Sequence, residues 1–570
     1  MAADPALAEL DWEHVVAVAV FRRDAPQLDR DARCALLDQA ATTIAHHYAH
    51  LPQKRQTRGV DPVAQLRALR LCVDDPALAD ATAFHGRICD IFAGLHDLHT
   101  IYTLPPYYAE AVAFLPFTAT RVGGPAGDII VTHVLPRVAN HHFRRGARVV
   151  SWNGVPVAEE LQRLAALSGG ANEAAAKARA LQSLTQRPLL RVPPPDHDNV
   201  ALTFRVGTDD REHHITLEWR VSTHRPDPHA VGAAAAIRSS SDGESDSLHR
   251  HRRHHYGAHT GRLHAAATDA THPYVRELTS DLPEVQAWIG ESAGMEFGVL
   301  RIQSFKLNDD NAFIASIQTL LADMPETGLV LDVRDNPGGL VAAAERLLQC
   351  FTDAPVRPVA MAFLATEANL ALCEANTPGE GRDVKLDLSA WVAPLRLALA
   401  RCETWSAALP ITPADCFGPD MGVYHGPVVL LTSGCCYSAC DILIAGFRDN
   451  GLGTILGVDG NIGAGGANMW KRSQIELLRT GQAALLPGEA DLHVATRRVV
   501  RVDPGGTPLE EIGIVPDVVH VRTLRDALQH DVDLFTVAAE ILRSSFFEKK
   551  EPKKLSSTEP SLSEESAPNE

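Results

Sequence analysis

The chain has 570 residues, 45% of them hydrophobic, and a formal net charge of −18 at neutral pH. That length exceeds what one core usually organises, so roughly two to four domains are expected, with enough apolar residues to bury each. The acidic balance argues against nucleic acid or an anionic membrane as partner, since both require a basic face.

The start, MAADPALAELDWEHVVAVAVFRR, places acidic residues before a short apolar run and has no basic leader, so a Sec-type signal peptide is not expected. Localisation is read as cytoplasm or export by another route. Ala, Leu and Ile recur at helical spacing over Asp31–His50 and Pro62–Phe92, giving a helical N-terminal region over 1–116. The texture turns to β from Phe117: DIIVTHV, then RRGARVVSWNGVPV with a hairpin turn at Asn153-Gly154, a helix from Ala158, and strands VALTFRV and HHITLEWRV. This is a small β-module over 117–222. Between about Ala234 and His264 the chain is Ser-, His- and Arg-biased and too poor in apolar residues to offset its ordering entropy, so 223–292 is expected as a mobile insert and linker. The histidines between His249 and His259 are mixed with Arg and are expected in solvent rather than on a metal. Strands and helices alternate again from Met295: FGVLRI, a helix Asn311–Met324, GLVLDV, a helix Leu340–Phe351, VVLLT, a helix Asp441–Asp449, and TILGV. An α/β core over 293–540 fits, interrupted at about 353–421, with a disordered tail over 541–570. No apolar run is long enough to span a membrane.

Four segments carry chemistry-bearing residues. In IFAGLHDLHTIYTLPPYY, His96 and His99 flank Asp97, and either imidazole has the pKa of a general base. In GLVLDVRDNPGGLVAAAERLL, Gly338 and Gly339 end a buried strand and let backbone approach a ligand closely. In GPVVLLTSGCCYSACDILIAGFRDNG, Ser438 stands between a strand end and a helix start, where a helix N-terminus can stabilise a developing oxyanion. Locally it reads equally as an N-cap. In GTPLEEIGIVPDVVH, Glu510 and Glu511 precede a strand-like exit. The ten cysteines lack zinc-ligand spacing and read as reduced thiols, with Cys435, Cys436 and Cys440 crowding Ser438 as candidates for oxidative inactivation.

Taken in order, DLHT, GARVVSWNG, LDVRDNPGG, YSACDI, RDNGLGTILG, GAGG and EEIGIVPD resemble the C-terminal processing (tail-specific) serine peptidase family across most of Asp31–Val537. One branch of that family carries a lysine in a Gly-Lys-Gly segment. Here the matching segment is Asn461-Ile462-Gly463-Ala464-Gly465-Gly466, and the likeness is instead to the chlamydial protease-like activity factor branch, which uses Ser, His and Glu. The resemblance implies Ser438 as nucleophile, His99 as base and Glu510 as orienting carboxylate, with Ala439 and Gly338 or Gly339 forming the oxyanion hole. His96 and Glu511 stay open as substitutes. It also implies an α/β multidomain fold with a crotonase/ClpP-like core and a PDZ-like module. Polypeptide substrates are expected, with neither cofactor nor metal, and a homodimer is compatible. By the same likeness the chain is expected to cleave itself between about Ala235 and His272. The alternative is a non-catalytic binding protein on the same fold, or hydrolysis of a non-peptide acyl substrate.

Overall fold

The apolar runs at Leu329–Asp332 and Val428–Thr432 become strands buried along their whole length, as parallel strands covered on both faces must be. In the computed structural model, which describes residues 14–550 except 137, 139–141, 208–209, 224–238, 242–247, 249–250, 253–271, 293, 380–383, 419–420 and 503–504, they are the centre of a seven-stranded sheet. Its order is Tyr274–Leu278, Val285–Ser292, Met295–Ile302, Leu329–Asp332, Val428–Thr432, Thr454–Gly457 and Val518–Val519. The first three are antiparallel neighbours and the rest run parallel. Side-chain alternation sorts the two faces. Leu329, Leu331, Val428 and Leu430 pack under the helices Asp310–Ala322, Val341–Gln349 and Ala439–Asp449. Val330, Val429 and Leu431 face the helix Val532–Lys550 through Leu534, Phe535, Ala538 and Leu542.

A second sheet connects the N-terminal region to this core. The ten-residue strand Asp491–Val500 pairs on one side with Ala467–Lys471, and on the other with Ala360–Phe363 and Ile101–Thr103. Strands between 117 and 218, other than Gln186–Pro188, form a six-stranded antiparallel sheet, in which Asn153 (φ 49°) and Gly154 (φ 84°) make the expected tight turn. No helix among the described residues is long and apolar enough to cross a membrane.

Several boundaries differ from those expected. Residues 274–292, grouped with the insert on composition, are the first two strands of the core sheet. Val285–Ser292 alternates, with Ala287 and Ile289 on one face and Trp288 on the other, a β pattern masked by the polar stretch before it. The tail does not begin at 541, because the helix Val532–Lys550 runs through that point with Leu542 buried. The N-terminal region also contributes strands at Val15–Ala17, Ile101–Thr103 and Val112–Phe114. Most of the expected mobile insert lies outside the described residues. Within it, however, Ser239–Ser241 is a strand, and His251, expected in solvent, is buried with its ring 4.6 Å from that of Phe114.

Candidate active site

Ser438 ends the turn between the Val428–Thr432 strand and the Ala439–Asp449 helix, with φ 60° and ψ −122°. A non-glycine residue holds such a conformation only when its surroundings fix it, at a cost of about 1–3 kcal/mol. Three contacts do so. The Ser438 N–H donates to Asp441 Oδ2 (2.9 Å), and the Tyr437 N–H donates to the Asn336 carbonyl (3.0 Å). Gly338, at φ 93°, lies so close that a Cβ there would fall 2.6 Å from Ser438 Cβ and 2.7 Å from the Ala439 nitrogen. Gly338 is therefore required by the approach of this backbone to Ser438, while Gly339 is required by the Phe305 backbone, whose carbonyl carbon would lie 2.0 Å from an added Cβ. The Gly338 N–H itself donates to Asn336 Oδ1 (2.8 Å).

Asp441 joins the serine turn to the GAGG segment. Beyond Ser438, it accepts from the Ala464 N–H (3.1 Å) and the Gly465 N–H (2.7 Å). Burial raises its carboxyl to about 7, while these three N–H groups oppose the rise. The glycines of that segment have a steric reason as well. A Cβ at Gly465 would lie 2.6 Å from the Tyr437 ring, and one at Gly466 would lie 2.2 Å from the Glu510 nitrogen.

The strand Asp491–Val500 gathers the remaining segments. Ile101 pairs with His493, and the Ala495 N–H donates to Thr100 Oγ1 (3.0 Å), which fixes the DLHT turn. At the strand's far end the Val499 N–H donates to the Gly466 carbonyl, and the Leu509 N–H to the Val499 carbonyl. In the turn, Asp97 Oδ1 accepts the His99 N–H, and the Leu98 N–H donates to the Tyr437 hydroxyl (2.9 Å). The His99 ring is buried with its centre 4.6 Å from that of Tyr437, the residue before Ser438. His96 turns away, its Nδ1 3.1 Å from the Gly170 carbonyl. Of the two histidines, His99 is the one the fold brings to the serine turn.

Glu510 is fully buried, accepting the Gly466 N–H on Oε2 (3.2 Å) and the Lys54 ammonium on Oε1 (2.8 Å). Burial raises its carboxyl above the ordinary value, and the Lys54 ammonium beside it opposes that rise. Glu511 points outward to Lys54 (2.8 Å) and Arg58 (2.5 Å); burial raises it, but these cations more than offset this and bring it down to about 2. His50, Asp97 and Glu510 present buried donor atoms within 4.8 Å of one another, the spacing of a metal-ligand set. The Lys54 ammonium already supplies positive charge to that carboxylate.

Sequence reasoning did not single out Lys54, His50 or Tyr437. Lys54 lies in LPQKRQTR, whose charge reads as a solvated face, yet its side chain has no exposure. Asp441 was legible as the fourth residue of an S-x-x-D cap. Cys436 and Cys440 are buried with their thiols on the Val333 carbonyl, and burial pushes the Cys435 and Cys440 thiols well up, away from the reactive thiolate form. Beside the serine, Ser239–Ser241 pairs antiparallel with Gly338–Leu340 in the register Ser241↔Gly338, Ser240↔Gly339 and Ser239↔Leu340.

Residues 296–520 match the sequence profile of Peptidase family S41. No curated protein matches the chain. Among solved structures, mature CPAF superposes with a TM-score of 0.65 at 17% identity, covering 91% of this chain and 98% of that one. Mature CPAF complexed with lactacystin gives 0.64 at 16% identity, covering 91% of this chain and all of the other (100%). Segment and fold agree: residues 296–520 match peptidase family S41, and the chain shares the fold of mature CPAF.

Proposed function

We propose that the chain is a serine endopeptidase in which Ser438 is the nucleophile, His99 the general base and Glu510 the orienting carboxylate. The observation that carries this reading is the convergence of three remote segments on one strand, Asp491–Val500. His99 packs on Tyr437 beside Ser438, and Glu510 lies in a buried cluster with Asp97, two residues before His99. His99 takes the hydroxyl proton as Ser438 Oγ adds to a peptide carbonyl, then delivers it to the leaving amine as the C–N bond breaks. Water repeats the sequence on the acyl-enzyme. The Ala439 N–H, at a helix N-terminus, stabilises the developing oxyanion together with a backbone N–H of the Gly338-Gly339 pair; the Gly338 N–H rests on Asn336 Oδ1.

Substrate adds as a strand along Gly338–Leu340, in the manner of an extended peptide on a sheet edge. The Ser239–Ser241 strand already pairs with that edge, which supports an internal segment that blocks the site until it is cleaved between about Ala235 and His272. We read the core as crotonase/ClpP-like. The 117–222 sheet is read as a PDZ-like module that serves to brace the site. In support, the segment that follows its first helix places Asn172 Nδ2 on the Ile462 carbonyl (2.8 Å) and Arg179 over the Tyr437 ring.

A fluorophosphonate probe tests the reading. Labelling of the wild type that is lost in Ser438→Ala and His99→Ala supports it, while equal labelling of all three would sink it. Self-cleavage is checked by incubation and gel: a truncated product from the wild type and an intact Ser438→Ala chain are expected.

A further inference from the structure

We propose that Lys54 is a positioning residue of this site, its buried ammonium drawing Glu510 towards the ionised form and holding it in place from the N-terminal helical region. The inference rests on the triad reading above. Lys54 lies on the helix Leu51–Arg58, and its Nζ reaches Glu510 Oε1 (2.8 Å), Glu511 Oε1 (2.8 Å) and the His96 carbonyl (3.3 Å). That is one acceptor for each ammonium hydrogen. A lysine with no exposed side-chain surface is rare unless paired, and here the pairing spans more than 450 positions of sequence (|i−j| = 456).

Charge explains the arrangement. Asp97 and Glu510 share one buried space with Glu511 at its rim, and Arg58 pairs with that outer member, Glu511. The other groups around Glu510 are neutral or weakly basic: Tyr48 and Tyr437 are buried phenols, and burial lowers His50 to about 4, so it carries no charge at neutral pH. Lys54 is thus the single cation against Glu510 among the described residues. Without it, burial and the Asp97 charge both favour a protonated Glu510, which cannot stabilise an imidazolium. Lys54 is not itself a base. Burial works against its charge, but Glu510, Asp97 and Glu511 outweigh burial and raise it above the ordinary lysine value, so it keeps its proton. This lysine therefore enters the site without standing in for the lysine of a Ser-Lys dyad.

The test is the pH dependence of fluorophosphonate labelling and of fluorescent casein cleavage by the full chain, for the wild type, Lys54→Met, Lys54→Arg, Glu511→Gln and Glu510→Gln. Lys54→Met is expected to move the acid limb upward by at least about one pH unit, with activity partly recovered at alkaline pH. Lys54→Arg should leave the limb in place, because the charge is kept. Glu511→Gln, at a partly exposed position, should move it downward, because a competing negative charge is removed and Lys54 is left to Glu510. A loss that is uniform across pH, with the limb unmoved in Lys54→Met and in Glu511→Gln, would overturn the proposal. If Lys54→Met does not fold, the direction of the Glu511→Gln shift decides. An inactive Glu510→Gln together with unmoved limbs defeats this inference alone, whereas a fully active Glu510→Gln defeats the triad reading and this inference with it.

Discussion

The serine turn and the carboxylate cluster are equally buried, but they are held in opposite ways. Ser438 is held by near neighbours in sequence and by the backbone of adjacent strands, through N–H donors to Asp441 and the close approach of Gly338. Glu510 is held by a cation from the other end of the chain and by one N–H of the GAGG turn. The first arrangement is steric and local, so it tolerates no added atom. The second is electrostatic and remote, so it responds to charge and pH.

If this division is right, the largest effects belong to the reacting groups. Ser438→Ala and His99→Ala should each lower casein turnover on the order of a million-fold, with His96→Ala close to wild type. A comparable loss in His96→Ala would reverse the assignment of the base. Next comes the steric claim. Gly338→Ala places a methyl 2.6 Å from Ser438 Cβ at a φ of 93°, and should reduce labelling by at least about a hundredfold through a displaced oxyanion site. Normal labelling in that variant would show that the turn yields more readily than its packing implies.

The electrostatic half predicts a pH-linked stability. Glu511 is held at about 2 in the folded chain, below its ordinary 4.5, so its contribution is present above pH 4.5 and is lost as pH falls toward 2. Glu511→Gln should therefore be less stable than wild type at neutral pH by roughly 2–3 kcal/mol. The gap should narrow in urea melts between about pH 5 and pH 3; a gap independent of pH would remove the charge from the explanation. The smallest effect joins the two regions. Tyr437→Phe leaves the buried Leu98 N–H without its acceptor and should cost about 1–2 kcal/mol. It should also slow labelling modestly by loosening the DLHT turn.

What could be read in the sequence follows the same division. The strand at Val428–Thr432, the helices near 341–349 and 439–449 and the Asn153-Gly154 turn are fixed by local periodicity and turn chemistry, and each formed within a few residues of expectation. The hairpin at 274–292 and the end of the last helix were lost because composition was averaged across a boundary. Lys54 and His50 carry no spacing signature at all. Their partners lie at Asp97 and Glu510, so only the folded chain reveals them. The role of Asp491–Val500 was hidden for the same reason: strand propensity marks a strand, while its three neighbours are set by topology.

That strand also bears on timing. The DLHT turn has no strand to pair with until His493 is available to Ile101, and the carboxylate cluster has no Glu510 until later still. At translation rates of roughly 5–20 residues per second, the DLHT turn waits about 20 to 80 s for them. Under the triad proposed above, the growing chain lacks Glu510 throughout that interval, and with it the assembled machinery to attack itself or the nascent proteins around it.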